Sequence, residues 1–345
     1  MTLNESPVIL GIESSCDETA SAVLRGRTVL SNVVASQADV HREFGGVVPE
    51  LASRHHLEKI DLIVDLALRR AGTRLDELDG VAVTCGPGLV GPLLVGLQAA
   101  KGIAWARGIP LLGVNHLEGH LRSVWLEHPE TPFPALSLVA SGGHTALYLS
   151  SDEDRIVPVA KTRDDAAGEA FDKVAKLLGL GYPGGPAIDR LAPGGDPGAV
   201  RLPAPRMSDG SLDFSFSGFK TSVLRHAQAN HLVRPFPDDG PAGQPALDLI
   251  ASFRSAVVEF MVDRLITVAR RERVRSVCLS GGVACNALLR ARVAEEAERL
   301  GVAAFAVSPD LAVDNAVMIA EVGRRKLQRG EIAGMDLNAD PGLEL

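Results

Sequence analysis

The chain has 345 residues, 46% of them hydrophobic and 23% charged, which is the balance of an ordinary globular protein. Its net charge of −8 argues against broad, non-specific nucleic-acid binding, which depends on neutralising phosphates. No stretch approaches the roughly 20 apolar residues of a membrane-spanning helix, and the first residues do not resemble a secretory signal. We therefore expect a cytoplasmic protein with two domains or two lobes.

The first predicted elements form a strand hairpin. Apolar runs at 8–12 and 20–24 predict two strands, and the polar segment Glu-Ser-Ser-Cys-Asp-Glu-Thr predicts the turn that joins them. The pattern recurs at 136–149 around Ser-Gly-Gly-His-Thr. A third apolar run at 276–279 leads through Ser-Gly-Gly into a predicted helix at 287–300. The recurrence indicates an internal duplication, and therefore two similar lobes.

Helical periodicity separates these strands, and the alternation of strands with helices indicates an α/β protein. Loops dense in Pro, Gly and Asp are predicted at 193–206 and 234–245. Further helices are predicted at 57–71, 92–106, 165–178 and 247–271.

The segment His-Leu-Glu-Gly-His indicates a metal site. On a helix, His116 and His120 would lie on one face about 5–6 Å apart, and neutral imidazole is a good ligand for Zn²⁺ or Fe²⁺. Glu118 would point roughly 200° away from His116, so the register of a zinc protease is wrong. The alternative is two unrelated surface histidines.

A third metal ligand is available in Asp314. A carboxylate with two histidines forms the facial triad that is typical of Fe²⁺ and leaves positions open for a substrate. The alternative is that Asp314 caps the helix predicted to follow it.

Glycine-rich turns are candidate phosphate sites. Ser141–Thr145 and Ser280–Gly282 could present backbone N–H groups to an anion, although such turns are often only tight turns. Gly86–Gly91 matches a dinucleotide fingerprint, but Pro87 and Pro92 remove N–H donors. Close packing of a helix on a strand is the better interpretation there.

Two further patterns favour ordinary structural roles. The four cysteines include no C-x-x-C pair, which indicates reduced thiols, although Cys16 or Cys285 could in principle be a nucleophile. Short basic runs such as Arg54-His55-His56 could form a local phosphate-binding patch, but most such runs are solvated helix faces.

Taken together, these segments resemble the TsaD family of tRNA threonylcarbamoyladenosine synthases, formerly mislabelled sialoglycoproteases. The matching motifs follow the family order from Ile9 to about Ala320. They are Gly-Ile-Glu-Ser-Ser-Cys-Asp-Glu-Thr from Gly11, Gly-Gly-Val-Val-Pro-Glu-Leu-Ala-Ser-Arg from Gly45, Gly-Pro-Gly-Leu-Val-Gly from Gly86, the segments His116 to His120 and Ser141 to Thr145, Ala-Gly-Glu-Ala-Phe-Asp-Lys from Ala167, Tyr-Pro-Gly-Gly-Pro from Tyr182, Asp-Phe-Ser-Phe-Ser-Gly-Phe-Lys-Thr from Asp213, Gly-Gly-Val-Ala-Cys-Asn from Gly281, and Asp314-Asn315.

The resemblance implies an α/β protein with the two-lobed actin- and sugar-kinase-like ATPase fold, its duplicated lobes lying around a central cleft. We place lobe I at 1–114, completed by 312–345, and lobe II at 115–311. The implied activity is transfer of a threonylcarbamoyl group from threonylcarbamoyl-AMP to N6 of the adenosine 3′ of the anticodon, in tRNAs that read codons beginning with A.

The resemblance also implies site residues. His116, His120 and Asp314 would hold Fe²⁺, with Zn²⁺ as the alternative metal. Apart from the resemblance, our mechanistic hypothesis is that Asp17 or Glu18, in the first hairpin turn, accepts a proton from the attacking amine. The alternative is that the pair only holds the turn together. The adenylate would be bound by Val139, Ala140, Ser141, Gly142, Gly143, Asp172, Gly185, Asp189 and Asn286.

Implied partners are tRNA and small helper subunits, namely a TsaB-like paralogue and a TsaE-like ATPase, with no membrane. The main rival function is a nucleotide-binding chaperone or regulatory ATPase without group transfer. Less favoured is a metalloprotease that depends on Glu118. The segment 234–245 matches no family motif, and its role is open.

Overall fold

The computed structural model describes residues 6–233 and 243–345. Of the predicted loop at 234–245, residues 234–242 lie outside the described residues, and residues 243–245 begin a helix. The strands are β1 (Val8–Glu13), β2 (Glu18–Arg25), β3 (Thr28–Ser36), β4 (Gly80–Gly86), β5 (Leu111–Asn115), β6 (Ala135–Ala140), β7 (Thr145–Ser150), β8 (Ile156–Lys161), β9 (Ser276–Ser280) and β10 (Ala303–Ala306). The helices are α1 (Ala38–Arg42), α2 (Pro49–Ala71), α3 (Val90–Arg107), α4 (His116–Glu127), α5 (Ala167–Leu177), α6 (Gly184–Leu191), α7 (Ser217–Ala229), α8 (Gly243–Glu272), α9 (Ala287–Leu300), α10 (Pro309–Ala312) and α11 (Ala316–Arg329).

The chain divides into two compact units. The described parts of 1–40, 47–127 and 313–345 form the first unit, and those of 41–46 and 128–312 form the second. The lobe limits predicted at 114 and 312 stay a prediction. The contacts differ from them at α4, which belongs to the first unit because it packs against α11.

The first unit contains a mixed five-stranded sheet with the order β3-β2-β1-β4-β5. β1 pairs antiparallel with β2, with Ile9 opposite Leu24, and this confirms the first predicted hairpin. β4 and β5 continue the sheet in parallel with β1. Every residue of β1 is buried, as expected for a central strand that helices cover.

The second unit repeats this arrangement with the order β10-β9-β6-β7-β8. β6 pairs antiparallel with β7, as predicted, and β9 and β10 continue in parallel with β6. The two sheets therefore share strand order and strand direction. The predicted internal duplication is confirmed.

The helices of the first unit begin and end where local chemistry favours it. α2 begins at Pro49 rather than at the predicted residue 57, because proline at the first helical position costs no hydrogen bond. It ends at Gly72, which takes a left-handed φ of 60° and donates its N–H to the last turn. α3 ends in the same way at Gly108. The helix ends predicted at 71 and 106 are therefore correct to within one residue.

The core of the second unit is built on its phenylalanines. Phe214, Phe216 and Phe219 each contact Phe260 of α8, with ring centroids 5.8–5.9 Å apart. Full burial of such a side chain stabilises the fold by about 1.5–3 kcal/mol. No helix in the described ranges is long and apolar enough to cross a membrane.

Candidate functional site

The paired histidines lie at the start of α4, directly after β5. His116 is 4% exposed and His120 is fully buried, so the interpretation as two unrelated surface histidines is wrong. Their rings meet edge to face with centroids 4.8 Å apart. The helix therefore holds both imidazoles on one buried face, as their spacing predicts.

Asp314 completes the group from the start of the last helix. Its Oδ1 lies 3.1 Å from His120 Nε2 and 3.5 Å from His116 Nε2. One ligand atom from each of the three residues lies within 4.8 Å of the others. Ligands about 2.1 Å from a common ion would be separated by about 3.0–3.5 Å, and the two distances from Asp314 match that spacing.

The alternative role for Asp314 is wrong. The side chain that caps α11 belongs to Asn315, whose Oδ1 accepts from the Met318 N–H at 3.1 Å. This cap fixes the first turn of the helix and leaves the neighbouring Asp314 carboxylate facing the histidines.

Glu13, at the end of β1, orients His116. An ionised carboxylate only accepts hydrogen bonds, so His116 Nδ1 carries the proton that it donates to Glu13 Oε2 at 2.9 Å. Thr84 Oγ1 donates to the same oxygen at 2.7 Å, and the Ser15 N–H donates to Oε1 at 2.5 Å. In the neutral ring that would ligate a metal, this tautomer leaves His116 Nε2 without a proton and directed toward Asp314, as ligation requires.

The electrostatics of this cluster favour a cation. Burial alone lowers the pKa of His116, but the carboxylates of Asp314 and Glu13 reverse the effect and raise it well above 6.5. Burial raises the pKa of Asp314, yet the charge of His116 outweighs it and holds that pKa well below 3.8. The negative potential that favours a protonated imidazole also favours a metal ion with neutral imidazoles.

Three features fit a metal ion held by His116, His120 and Asp314. The donors are the imidazole and carboxylate types that iron and zinc accept, and one imidazole is oriented by a buried carboxylate. His120 Nδ1 is buried and has no hydrogen-bond partner among the described residues, so its ring is not tied to another role.

Glu118 does not join the histidines. It is half-buried, and its Oε1 lies 3.6 Å from Arg122 Nε, one turn further along α4. The prediction that it faces away from the metal site is consistent with this ion pair.

The candidate proton acceptors are adjacent, with Asp17 at the end of the turn between β1 and β2 and Glu18 as the first residue of β2. Asp17 is largely buried, and Glu18 is half-buried and accepts from Ser36 Oγ at 3.1 Å. Burial, followed by the negative charges of Asp17 and Asp314, raises the pKa of Glu18 well above 4.5. A carboxyl with a raised pKa is typical of a group that exchanges protons near neutral pH.

His56 of α2 fixes this turn. Its Nε2 donates to the Cys16 carbonyl at 2.9 Å, because a carbonyl can only accept. Burial lowers the pKa of His56, so the ring is neutral and Nδ1 accepts from Thr19 Oγ1 at 2.8 Å. The basic patch considered at 54–56 therefore does not include His56, which is fully buried.

The second unit brings its two Ser-Gly-Gly turns together. β6 and β9 are parallel neighbours with Val139 opposite Ser280, so both turns lie at the carboxyl ends of adjacent strands, where α/β proteins bind ligands. A Cβ on Gly281 would overlap the backbone of Ala140. In contrast, nothing lies within 4 Å of a Cβ built on Gly142, Gly143 or Gly185, which leaves open space at these positions.

The polar members of the predicted adenylate set also bind the backbone around these turns. Asp172 Oδ1 accepts from the Gly184 N–H at 2.7 Å. Asp189 accepts from Arg254 at 2.8 Å and from the Ala287 N–H at 3.2 Å. Asn286 caps α9 by accepting from the Leu289 N–H at 3.0 Å. These bonds join α5, α6 and α9, and each carboxylate oxygen keeps a second lone pair for a ligand.

The Gly86–Gly91 segment serves close packing. A Cβ on Gly88 would lie 2.6 Å from the Ser15 carbonyl oxygen, and a Cβ on Gly91 would collide with Ser53 of α2. These glycines therefore let α3 and the segment before it approach their neighbours, which supports the interpretation as close packing.

The four cysteines are free thiols. Burial raises the pKa of Cys16 well above 9.0 and that of Cys278 to about 12, and it also raises those of Cys85 and Cys285. Thiolates are the nucleophilic form, so the structure favours inert thiols at all four positions.

Comparison with known proteins decides the family. The model of TsaD, tRNA N6-adenosine threonylcarbamoyltransferase, matches residues 28–321. The enzyme of that name from Geobacter metallireducens is 52% identical over 333 residues, which cover 96% of this chain and 95% of the relative. Its counterpart from Clostridium perfringens (strain SM101) is 48% identical, with 98% of both chains covered. The chain belongs to the TsaD family of tRNA N6-adenosine threonylcarbamoyltransferases.

Solved structures support the fold of this TsaD family member. HypF from T. kodakarensis aligns with a TM-score of 0.62 at 16% identity, covering 98% of this chain and 49% of HypF. Component A of the (R)-2-hydroxyglutaryl-CoA dehydratase from Acidaminococcus fermentans aligns with a TM-score of 0.55 at 15% identity, covering 94% of this chain and 100% of that one. At these identities the likeness shows the fold alone, and it confirms the predicted actin- and sugar-kinase-like class.

Two important residues of this TsaD chain were missed by the sequence reasoning. Glu13 meets His116 from a position 103 residues away along the chain, and His56 meets Thr19 from 37 residues away. No local sequence pattern predicts either of these contacts. The available signal for Glu13 was a carboxylate that ends a wholly apolar run, because such a group requires a buried partner.

Proposed function

We propose that this enzyme transfers the threonylcarbamoyl group of threonylcarbamoyl-AMP to N6 of the adenosine 3′ of the anticodon, in tRNAs that read codons beginning with A. The observation that carries the proposal is the buried cluster of His116, His120 and Asp314 with Glu13 behind it, in a chain of the TsaD family. A regulatory ATPase without group transfer has no evident use for such a cluster.

The proposed metal is Fe²⁺, held by His116, His120 and Asp314. Two imidazoles and one carboxylate leave coordination positions open, as in non-haem iron sites. Zn²⁺ is the alternative metal, because the same three side chains can also bind it. When bound, the ion would act as a Lewis acid toward an oxygen of the mixed anhydride. Glu13 would keep His116 in the ligating tautomer.

We assign adenylate binding to the second unit. The open faces of Gly142, Gly143 and Gly185 allow close approach of a ligand to the backbone, and turn N–H groups would offset the charge of the phosphate. Asp172 and Asp189 would accept hydrogen bonds from ribose hydroxyls. Val139, Ala140, Ser141 and Asn286 complete this proposed set.

We assign proton acceptance to Glu18, whose pKa is raised by burial and then by the negative charge of its neighbour Asp17. The adenosine N6 amine attacks the carbamoyl carbonyl, the bond from that carbon to the phosphate oxygen breaks, and AMP leaves. The amine loses one proton in this exchange, and the Glu18 carboxylate receives it. The step balances without any oxidant or reductant.

A chain of net charge −8 needs local help to hold tRNA. We propose that a TsaB-like paralogue and a TsaE-like ATPase act with this chain. We infer a cytoplasmic location, where its tRNA substrate is found.

The test combines metal analysis with tRNA nucleoside analysis. His116→Ala is expected to lose bound iron and to form no modified adenosine from threonylcarbamoyl-AMP, because the cluster loses one ligand. His226→Ala removes a half-buried histidine on α7, outside the cluster, and is expected to keep both. Full activity in His116→Ala would overturn the metal assignment, and a wild-type enzyme that modifies no tRNA would overturn the proposed function.

A further inference from the structure

The second unit carries a cavity that no role described above uses. Its volume is about 400 Å³, which is the size of a pocket for one nucleotide or a small ligand. It is lined by two arginines, Arg42 and Arg190, and by apolar and aromatic residues that include Leu180, Tyr182, Pro183 and Pro186.

The cavity lies on one face of α6. Pro183, Pro186, Ala187 and Arg190 are spaced as neighbours on a helix surface, and all four line the cavity. At about 100° per residue, Gly185 and Asp189 point about 150° and about 110° away from the mean direction of those four residues. Asp189 accordingly bonds Arg254 and the start of α9. The face of α6 at the cavity is therefore different from the face assigned to the adenylate.

The charge of the cavity is positive. It is lined by two arginines and by no carboxylate, in a chain whose net charge is −8. Arg190 is exposed and makes no ion pair or hydrogen bond within the described part of the chain. Arg42 is held at the rim because its Nε donates to the Tyr182 carbonyl at 3.4 Å. Unpaired guanidinium beside a second guanidinium is a favourable site for a phosphate.

The remaining wall is apolar and partly aromatic. Leu180, Tyr182 and the two prolines form surfaces on which a ribose or an unstacked base can pack. Proteins recognise single-stranded loops of RNA by this combination of arginine and aromatic side chains.

We propose that this cavity binds one nucleotide of the substrate tRNA, with Arg42 and Arg190 on its backbone phosphate and Tyr182 beside its base or ribose. The inference rests on the proposed function, and it names a contact site for the second substrate. The phosphate of threonylcarbamoyl-AMP has the same chemistry, so the test must separate the two sources.

Steady-state transfer by the complete wild-type system provides the test. Arg42→Ala and Arg190→Ala are each expected to lower kcat/KM for tRNA about tenfold, through a higher KM, because each removes one charge-assisted phosphate contact. Each should also reduce the slope of log kcat/KM against log salt by about 0.7. Arg190→Lys keeps the charge but not the planar fork, and should fall between Arg190→Ala and wild type.

Arg270→Ala is the matched control. Arg270 is also exposed and makes no ion pair with the described residues, and it lies on α8 roughly 24 Å along the helix from Arg254. This variant loses the same charge and should keep the wild-type KM for tRNA.

Several results would overturn the inference. An unchanged KM for tRNA in both alanine variants would do so, as would an equal loss in Arg270→Ala. A higher KM for threonylcarbamoyl-AMP alone would assign the cavity to the adenylate, and lost stimulation by helper proteins at unchanged tRNA affinity would assign it to a protein partner. Binding of fluorescent tRNA to each variant is measured in parallel. The contribution of the cavity to tRNA affinity is therefore tested even if the wild-type enzyme transfers nothing.

Discussion

Glu13 stays ionised although it is fully buried in a sheet. Burial raises its pKa, but the charge and hydrogen bond of His116, together with the Thr84 hydroxyl, lower it below 4.5 overall. A buried charge of this kind is retained only where partners satisfy it, and here the partner is a proposed metal ligand. At the scale of single residues, the site is thus organised by a carboxylate that acts through the neighbouring His116.

The first prediction follows from this contact. Glu13→Gln is expected to weaken Fe²⁺ binding by about 10–100-fold, because the amide no longer favours the ligating tautomer of His116. Glu118→Gln, on α4 but paired with Arg122, should bind iron as wild type does. Titration of metal-free protein with Fe²⁺ under nitrogen measures both affinities. Equal affinity in Glu13→Gln and wild type would remove Glu13 from this role.

The second prediction concerns the pH dependence of stability. The folded pKa of Glu18 is raised above 4.5, so its contribution to stability is complete below its unfolded pKa and is lost as pH rises through the folded pKa. Glu18→Gln cannot ionise and should therefore gain stability relative to wild type as pH increases above 4.5.

Thermal unfolding of both proteins across a pH series measures this difference. Glu43→Gln, which alters an exposed side chain, is the control and should parallel wild type at every pH. Curves for Glu18→Gln and wild type that stay parallel above pH 4.5 would show that the carboxyl is not perturbed.

At the scale of elements, the last helix determines where Asp314 lies. α11 packs on β1 and β4, and a Cβ on Gly323 would collide with the side chain of Ala82 in β4. This glycine therefore allows the helix to approach the sheet closely. The Asn315 cap then places Asp314 directly before the first turn.

A pair of glycine substitutions makes the third prediction. Gly323→Ala should destabilise the fold by about 1–3 kcal/mol and weaken metal binding, because α11 must move away from β4. Gly102→Ala, on the exposed face of α3 with nothing within 4 Å, should instead stabilise by about 0.5–1 kcal/mol. Chemical denaturation measures both free energies of unfolding. A Gly323→Ala variant that is as stable as wild type, or more stable, would contradict the packing argument.

The elements differed in how well the sequence predicted them. Continuous apolar runs predicted β1, β2, β6, β7 and β9, because a strand buried on both faces has an unmistakable composition. The edge strand β3 mixes exposed, half-buried and buried residues, and β10 is only Ala-Ala-Phe-Ala, so neither has the continuous apolar run that predicts a buried strand. His116 and His120 were predicted because helical spacing is local, whereas Glu13 and His56 act across contacts that only the fold creates.

At the scale of the whole molecule, two sheets of the same topology carry different chemistry. The first unit holds the His-His-Asp cluster, and the second holds the glycine-rich turns and the arginine-lined cavity. Both sites lie in sheets of the same strand order, so function depends on the residues at the strand ends rather than on the topology itself.

The fourth prediction is linkage between metal and stability. A ligand that binds only the folded state at 100 times its Kd stabilises it by about 2.7 kcal/mol, so saturating Fe²⁺ should raise the Tm of wild type by several degrees. His120→Ala should show no such rise, because it lacks one ligand of the cluster. Differential scanning calorimetry under nitrogen measures both, and an equal rise in His120→Ala would place the metal elsewhere.

The most direct measurement is single-turnover transfer by the wild-type enzyme with its helper proteins, threonylcarbamoyl-AMP and unmodified tRNA. Metal-free enzyme, prepared with a chelator, is compared with the same sample after Fe²⁺ is restored. The account predicts threonylcarbamoyladenosine in the digested tRNA only after restoration. Equal yield from thoroughly metal-free enzyme would contradict it.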